Sequence, residues 1–353
     1  MKNDDRFSVV IPTHNRPERL GRVLSYYNEY GRNLNVIIAD SSFAEIKKRN
    51  KKTISLFSNL DISYLSDYSP EDDIMVRFLR KIAEAVDHVA REYCLICPDD
   101  GFITPRGIDQ SIDFLKENSD FTVAHGNYIA FYKEGKDQFL WKSIYPYRSI
   151  TFPDAKDRLL AHFSDYYPTT LGVHRTDFLK MLYKENTKFT EDLRFCESLP
   201  SALTLVHGKM KHLDVLYAAL EYMPTSLGET TEDLWNFVST NTYYRKYAKF
   251  RDCLTTHLSE SPRVDDKDSK KIVDAAMSAY LSAYWPSIQA AHTWKNISKR
   301  KIRGVFGRLG LSDWIYRRMR QTRIHNVWTS RNASSKYYAD FSEIRRFALE
   351  EGL

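Results

Sequence analysis

The sequence predicts an α/β chain: an open, mainly parallel sheet covered by helices, followed by a helical C-terminal part. Three observations carry that expectation. Short β-branched runs alternate with amphipathic helical runs through the first 125 residues, the pattern of a right-handed parallel sheet. The polar residues of this half collect where the strand-like runs end: Thr13 to Arg16, Asp40 to Ser42, Asp67, and Asp99 with Asp100. From about residue 228 the strand signals give way to helical ones.

Taken in order, "FSVVIPT" reads as the first strand and stops at Pro12. "RPERLGRVLSYYNEYG" follows with Leu20, Val23, Leu24 and Tyr27 at helical spacing and Gly31 as its stop. "LNVIIADSS" and "DISYLSD" are the second and third strands. "DIMVRFLRKIAEAVDHVARE" is a long helix whose apolar face is expected to carry Val76, Leu79, Ile82, Ala83 and Val86. "YCLICPDD" is the fourth strand, "TPRGIDQSIDFLKENS" a helix and "DFTVAHGNYIAFY" another strand. "YPTTLGVHRTDFL" predicts an extended segment leading into a helix. "RFCESLPSALTLVHGKMKHLD" predicts a helix ending near Gly208 and then a short strand.

With 353 residues, 42% of them hydrophobic, the chain can bury two domains. They are expected at 1–227 and 228–353, packed together because no low-complexity linker separates them. Four cysteines are too few for a disulfide scaffold and fit a reducing compartment. The start "MKNDDRFSVVIP" lacks a signal-peptide pattern. No run approaches the roughly 18 to 20 apolar residues of a membrane span. The expectation is a cytoplasmic protein.

Two nucleotide motifs are absent. No G-x-G-x-x-G follows the first strand, and there is no G-x-x-x-x-G-K-[ST], which disfavours dinucleotide and P-loop enzymes. The first strand ends instead in "PTHNRPERL". In order and spacing, "VVIPTHNRPERL", "VIIADSS" and "YCLICPDDGFITPRGI" resemble the bacterial glycosyltransferases of the GT-A fold. The likeness is to family-2-like enzymes and related small transferases of surface-polysaccharide gene clusters. It spans roughly residues 7 to 225 and fades in the helical part.

The resemblance implies a Rossmann-like nucleotide-sugar-binding domain and assigns roles to residues. Pro12, Thr13, Asn15 and Arg16 would cup the nucleotide. Asp40 would hydrogen-bond the nucleobase, with Ser41 and Ser42 beside it. Asp99 and Asp100 would hold a divalent cation, Mn²⁺ or Mg²⁺, against the diphosphate, and Asp99 would border the donor. Lys81 and Arg77, on the preceding helix, would reach the diphosphate. Relatives usually show acid, any residue, acid. Here Cys97, Pro98 and Gly101 flank the pair, so one carboxylate of the usual set is missing. Phosphate oxygens and water, or one of His125, His174 and His212, would complete the ligand set.

An inverting transferase needs a base for the acceptor hydroxyl. The family places it about three turns before a glycine that precedes a strand. Glu197 lies eleven residues before Gly208 and matches that spacing, with Glu where the family usually has Asp. Glu191 and Asp192 compete for the role. "YYPTTLGVHRTDFL" resembles the acceptor side, which would involve Thr169, Thr170, His174 and Arg175, with Tyr167 nearby. Asp-Asp-Gly also makes an ordinary solvated turn, and Glu197 an ordinary helix-start carboxylate favoured by the dipole.

Two further features were weighed. Cys94 and Cys97 form a C-x-x-C with no second pair at zinc spacing. Residues three apart on a strand face opposite sides, so buried structural thiols are expected. Residues 295–323 carry ten Lys or Arg and one acid, Asp313, with Ile302, Phe306 and Leu309 at helical spacing. This reads as an amphipathic segment for an anionic membrane surface, or as a solvated helix packed on the catalytic part. No nucleic-acid motif accompanies the charge.

The expected function is transfer of a sugar from a nucleotide-sugar donor to a saccharide, free or lipid-linked, in bacterial surface glycan synthesis, with inversion. The expected place is the cytoplasm or the inner face of the membrane. The alternatives are a sugar-phosphate nucleotidyltransferase, disfavoured by the lack of a glycine-rich basic loop, and a non-catalytic glycan- or lipid-binding relative.

Overall fold

The computed structural model describes residues 4–30, 33–134, 138–145, 148–189, 193–221, 234–261, 266–292 and 337–349. Residues 295–323, Glu191 and Asp192 lie outside them. The first half holds β1 (Phe7–Thr13), α1 (Pro17–Tyr30), β2 (Leu34–Asp40), α2 (Ala44–Ile54), β3 (Leu60–Leu65), α3 (Ile74–Asp87), β4 (Tyr93–Ile96), β5 (Gly101–Ile103) and α4 (Pro105–Glu117). Then come β6 (Phe121–Glu134), β7 (Gln138–Tyr145), α5 (Ala155–Ser164), β8 (Val173–Arg175), α6 (Thr176–Asn186), α7 (Leu193–His207) and β9 (Lys209–Glu221). The C-terminal part contributes α8 (Leu234–Ser239), α9 (Tyr243–Ser259), α10 (Asp266–His292) and α11 (Tyr338–Leu349).

One nine-stranded sheet runs β3-β2-β1-β4-β8-β6-β9-β5, with β7 paired to β6. β1 to β4 are parallel, as expected. The second half of the sheet is mixed: β8 is antiparallel to β4 and β6, and β5 is antiparallel to β9. The strand after α7 is thirteen residues long rather than short, because it pairs with β6 along most of its length.

Side chains alternate across the sheet, as a pleat requires. Phe7, Val9 and Ile11 of β1, with Leu95 and Cys97, face a core shared with α1, α4 and α11. Val10, Ile37, Ala39, Cys94 and Ile96 face a core shared with α3, α5, α6, α7, α9 and α10. Cys94 and Cys97 therefore lie on opposite faces, both buried thiols. Burial pushes each up to about 12. The C-terminal helices have no core of their own among the described residues. Phe347 of α11 packs edge-on against Tyr26 at 5.3 Å, and Arg22 donates to the Ala348 carbonyl at 2.9 Å.

Local signals explain the helix starts. Asp73 caps α3 by accepting from Met75 N at 2.9 Å, and Thr104 caps α4 ahead of Pro105. Leu79, Ile82, Ala85, Val86 and Lys81 form the buried stripe of α3. Val76 is exposed with Ile74 and Phe78, at the start of α3.

Gly126 marks the tightest approach of β6 to β9. A Cβ there would stand 2.7 Å from both the Val215 carbonyl oxygen and Val215 Cγ1. The carbonyl is backbone and cannot yield without parting the strands. Gly126→Ala is expected to cost about 1–3 kcal/mol of stability, the range for overpacking, read as a lower urea midpoint. An unchanged midpoint would contradict this packing.

Candidate active site

The parallel strands end in step. Thr13 pairs with Asp40, and Cys97 N, just past β4, donates to Val10 O at 2.9 Å. One edge of the sheet thus receives the ends of β1, β2 and β4, where open α/β sheets bind ligands. The loop after β1 turns through Asn15, whose φ of 56° is left-handed and tolerated by Asn. This bend lets Asn15 N donate to Ser42 Oγ at 2.7 Å and Asn15 Oδ1 accept from Phe43 N at 3.0 Å. The loops after β1 and β2 are locked together.

Beyond β4 the chain turns at Pro98–Gly101, closed by Gly101 N donating to Pro98 O at 3.0 Å. Glu221 N holds the Asp100 carbonyl at 2.8 Å. Asp99 is buried and its Oδ2 accepts from Thr13 Oγ1 at 2.7 Å. Asp99 Oδ1 and Asp100 Oδ2 both lie 3.0 Å from one nitrogen, Arg16 Nη1. Behind them Lys81 is buried and donates to Thr13 O at 2.8 Å and Ser41 Oγ at 3.0 Å. The structure brings together Thr13, Arg16, Ser41, Lys81, Asp99 and Asp100. Pro12 lies in the adjoining strand.

Burial controls the charges here. It pushes the Lys81 ammonium down to about 8, against the pull of Asp99 and Asp40. It pushes the Asp100 carboxyl up to about 6, helped by Asp99 and opposed by Arg16 and Arg19. Burial also works to raise Glu221, but Arg19 and Arg22 outweigh it and hold that carboxyl below its ordinary value.

Asp40 has a different posture from a free hydrogen-bond acceptor. It is fully buried. Its Oδ1 accepts from Ser42 N at 2.7 Å, and its Oδ2 from Asn50 Nδ2 at 2.7 Å and Tyr64 OH at 2.5 Å. It orders the loop that carries Ser41, Ser42 and Phe43. Asn50 and Tyr64 had no signal in the sequence, since each meets Asp40 only through the fold.

The acidic pair can be tested against a divalent cation from its geometry. Two carboxylate oxygens converge on one point, held now by a guanidinium nitrogen whose side chain is 31% exposed. Such an oxygen-lined point suits Mn²⁺ or Mg²⁺ if the cation takes the place of Arg16 Nη1. The three histidines considered as further ligands are engaged elsewhere. His125 Nδ1 lies 3.1 Å from Gly126 O, His174 Nδ1 2.9 Å from Gly172 O, and His212 Nε2 3.1 Å from Asn127 Oδ1.

Glu197 sits in the second turn of α7. That helix ends at His207, and the strand after it starts level with Phe121, the first residue of β6. The start of α7 therefore lies toward the edge that carries Asp99. Glu197 is exposed but hemmed in by Tyr166, Tyr280, Tyr284 and Arg194. Crowding raises its carboxyl, against Arg194. No hydrogen bond joins it to the acidic turn among the described residues. Thr169 packs beneath the same helix face, its N donating to Ser201 Oγ at 3.0 Å, and Thr170 is half-buried beside it.

His174 and Arg175 are placed elsewhere, which corrects their assignment to the acceptor side. They pair with Cys94 and Tyr93, at the start of β4, the end of the strand remote from Asp99. Arg175 donates to the Leu115 and Asn118 carbonyls at the end of α4, a C-terminal cap favoured by the dipole. A three-residue strand antiparallel to β4 carries this pair away from the ligand edge.

Strand order, acidic turn and helical C-terminal part together define the fold as that of the GT-A glycosyltransferases. No family model and no curated protein matches the sequence. Among solved structures, S. aureus TarS 1-349 in complex with UDP-GlcNAc is similar at a TM-score of 0.52. The identity is 15% over 82% of this chain and 77% of that one. TarS 1-349 also matches in another crystal structure, at a TM-score of 0.47 and 13% identity over 78% and 72% of the two chains.

The raised Asp100 pKa yields a signed prediction. Between its ordinary 3.8 and about 6, the folded chain keeps a proton that the unfolded chain has lost. Stability contributed by this group therefore falls as pH rises through that window. Relative to wild type, Asp100→Asn is expected to gain stability from pH 4 to pH 7 in urea titrations. A relative loss over that range would refute the burial account of Asp100.

Proposed function

We propose that the chain is an inverting glycosyltransferase that moves a sugar from a nucleotide-sugar donor to a saccharide acceptor in bacterial surface glycan synthesis. The observation that carries this reading is the convergence of Asp99 and Asp100 on one point, beside Arg16 and Lys81, at the ligand edge of a GT-A sheet. The donor loops after β1 and β2 would cup the nucleotide, with Asp40 ordering Ser41 and Ser42 for it. Arg16 and Lys81 would meet the diphosphate oxygens.

Asp99 and Asp100 would hold Mn²⁺ or Mg²⁺. Arg16 and Lys81 bring two positive charges against three carboxylates, Asp40, Asp99 and Asp100. The set alone does not welcome an anionic diphosphate, and this favours an added cation. When bound, that cation would neutralise charge developing on the leaving diphosphate. Glu197 would take the proton of the acceptor hydroxyl, and its raised pKa suits a general base better than an ordinary carboxylate. Tyr166, Tyr280 and Tyr284 offer rings against which a sugar can lie, with Thr169 and Thr170 on the floor.

A lipid-linked acceptor and docking to the inner membrane face belong to this reading through residues 295–323. No described helix is long and apolar enough to cross a membrane. The second reading is a non-catalytic GT-A relative. It is favoured by Arg16, which already neutralises both carboxylates.

Turnover separates the two. With a panel of nucleotide sugars and Mn²⁺, wild type is expected to release nucleoside diphosphate slowly, and Asp100→Ala to lose that activity while keeping its fold. Against acceptor, Glu197→Gln is expected to lower kcat by about 10²- to 10⁴-fold with donor affinity retained. Full activity in Glu197→Gln would remove the base assignment. Release equal in Asp100→Ala and wild type would remove the donor site.

A further inference from the structure

A second cluster lies outside the proposed active site, on the face where the C-terminal helices meet the first part. Glu185 stands at the end of α6, His207 ends α7, and Cys253 and His257 are one turn apart near the end of α9. Three helix C-termini converge, and each presents the negative end of its dipole. One ligand atom each from Glu185, Cys253 and His257 falls within 4.8 Å of the others. Cys253 Sγ is 3.8 Å and His257 Nε2 3.9 Å from the same oxygen, Glu185 Oε2.

The hydrogen bonds around His257 orient its lone pair. Its Nδ1 lies 3.0 Å from His207 Nε2. His207 is exposed and borders a cavity. In the tautomer whose His257 Nδ1–H donates to His207, the His257 Nε2 lone pair faces the Glu185 carboxylate. Two acceptors 3.9 Å apart cannot bond each other. A cation between them satisfies both, and His207 takes the supporting place that metal-bound histidines require.

We propose that Glu185, Cys253 and His257 bind a zinc ion that fastens α9 of the C-terminal part to α6. A thiolate, an imidazole and a carboxylate select zinc over the hard cations suited to Asp99 and Asp100. Zinc ligands at about 2.0–2.3 Å lie roughly 3.3–3.6 Å apart on a tetrahedron, so the two pairs to Glu185 close by a few tenths of an ångström and the Cys253–His257 pair, within 4.8 Å, by up to about 1.3 Å. The Cys253 proton leaves to solvent as the Zn–S bond forms. Lys188 Nζ lies 2.8 Å from Glu185 Oε1 and 2.7 Å from Oε2, so zinc binding through Oε2 shifts that ammonium onto Oε1 alone. The fourth ligand is water. It enters from the cavity of about 380 Å³ lined by Arg158, His207, His257, Glu260 and Ser261.

The test uses the full chain, stripped with chelator. Zn²⁺ titrated against a chromophoric chelator is expected to show one tight equivalent per chain. Co²⁺ is expected to give tetrahedral bands with a single thiolate-to-cobalt charge-transfer band in wild type and in Asp100→Asn. That band is expected to vanish in Cys253→Ser, and His207→Ala to weaken zinc about 10- to 100-fold. Zn²⁺ is expected to raise the melting temperature of wild type but not of Cys253→Ser. No tight equivalent, a cobalt spectrum without the thiolate band, or a band surviving in Cys253→Ser would overturn the proposal. The wild-type cobalt spectrum decides the matter even if Cys253→Ser does not fold.

Discussion

The constraint on which the rest depends is the burial of carboxylates at one sheet edge. β1 and β2 end level at Thr13 and Asp40 and the turn after β4 reaches the same edge, so Asp40, Asp99 and Asp100 arrive together in a region with little water. Each must be held by protein groups. Asp40 is held by Ser42, Asn50 and Tyr64, and Asp99 by Thr13 and Arg16. Asp100 shares Arg16 and is the least compensated, which is why its carboxyl rises to about 6. A folded chain that retains such a cost has a use for charge at that edge. The proposed binding of a donor diphosphate, with a cation in the position of Arg16 Nη1, would give it one.

The C-terminal helices belong to this arrangement. α9 and α10 pack on the face of the sheet opposite α1 and α11 on the same face as α1, and α10 supplies Tyr280 and Tyr284 around Glu197. The proposed base therefore sits where the two parts of the chain meet. The Glu185–Cys253–His257 cluster sits at the same seam. A zinc ion there would fix α9, and α10 packs on α9 in the same core. This links the stability of the seam to the shape of the acceptor side without placing the metal in the chemistry.

Much of the fold was legible in the sequence. β-branched runs ending in polar residues gave β1, β2 and β4 with the right polarity, and the turn chemistry of "TPRG" marked the start of α4. The opposite facing of Cys94 and Cys97 followed from strand geometry alone. What local pattern does not encode was missed. β5 is three residues long and exists only through its pairing with β9. Asn50 and Tyr64 reach Asp40 from separate elements. Arg175 looked like part of the acceptor side because sequence proximity to Thr169 and Thr170 says nothing about which end of a strand a residue occupies. Val76 kept the right helical phase but is exposed in the first turn of α3, which spacing alone does not foretell.

The most direct test of the central claim is calorimetric titration of the full chain with a panel of nucleoside diphosphates, with and without Mn²⁺. The account predicts saturable binding of at least one diphosphate, strengthened by Mn²⁺ in wild type and no longer strengthened by it in Asp100→Asn. Absence of binding across the panel, or binding indifferent to both Mn²⁺ and Asp100, would contradict it.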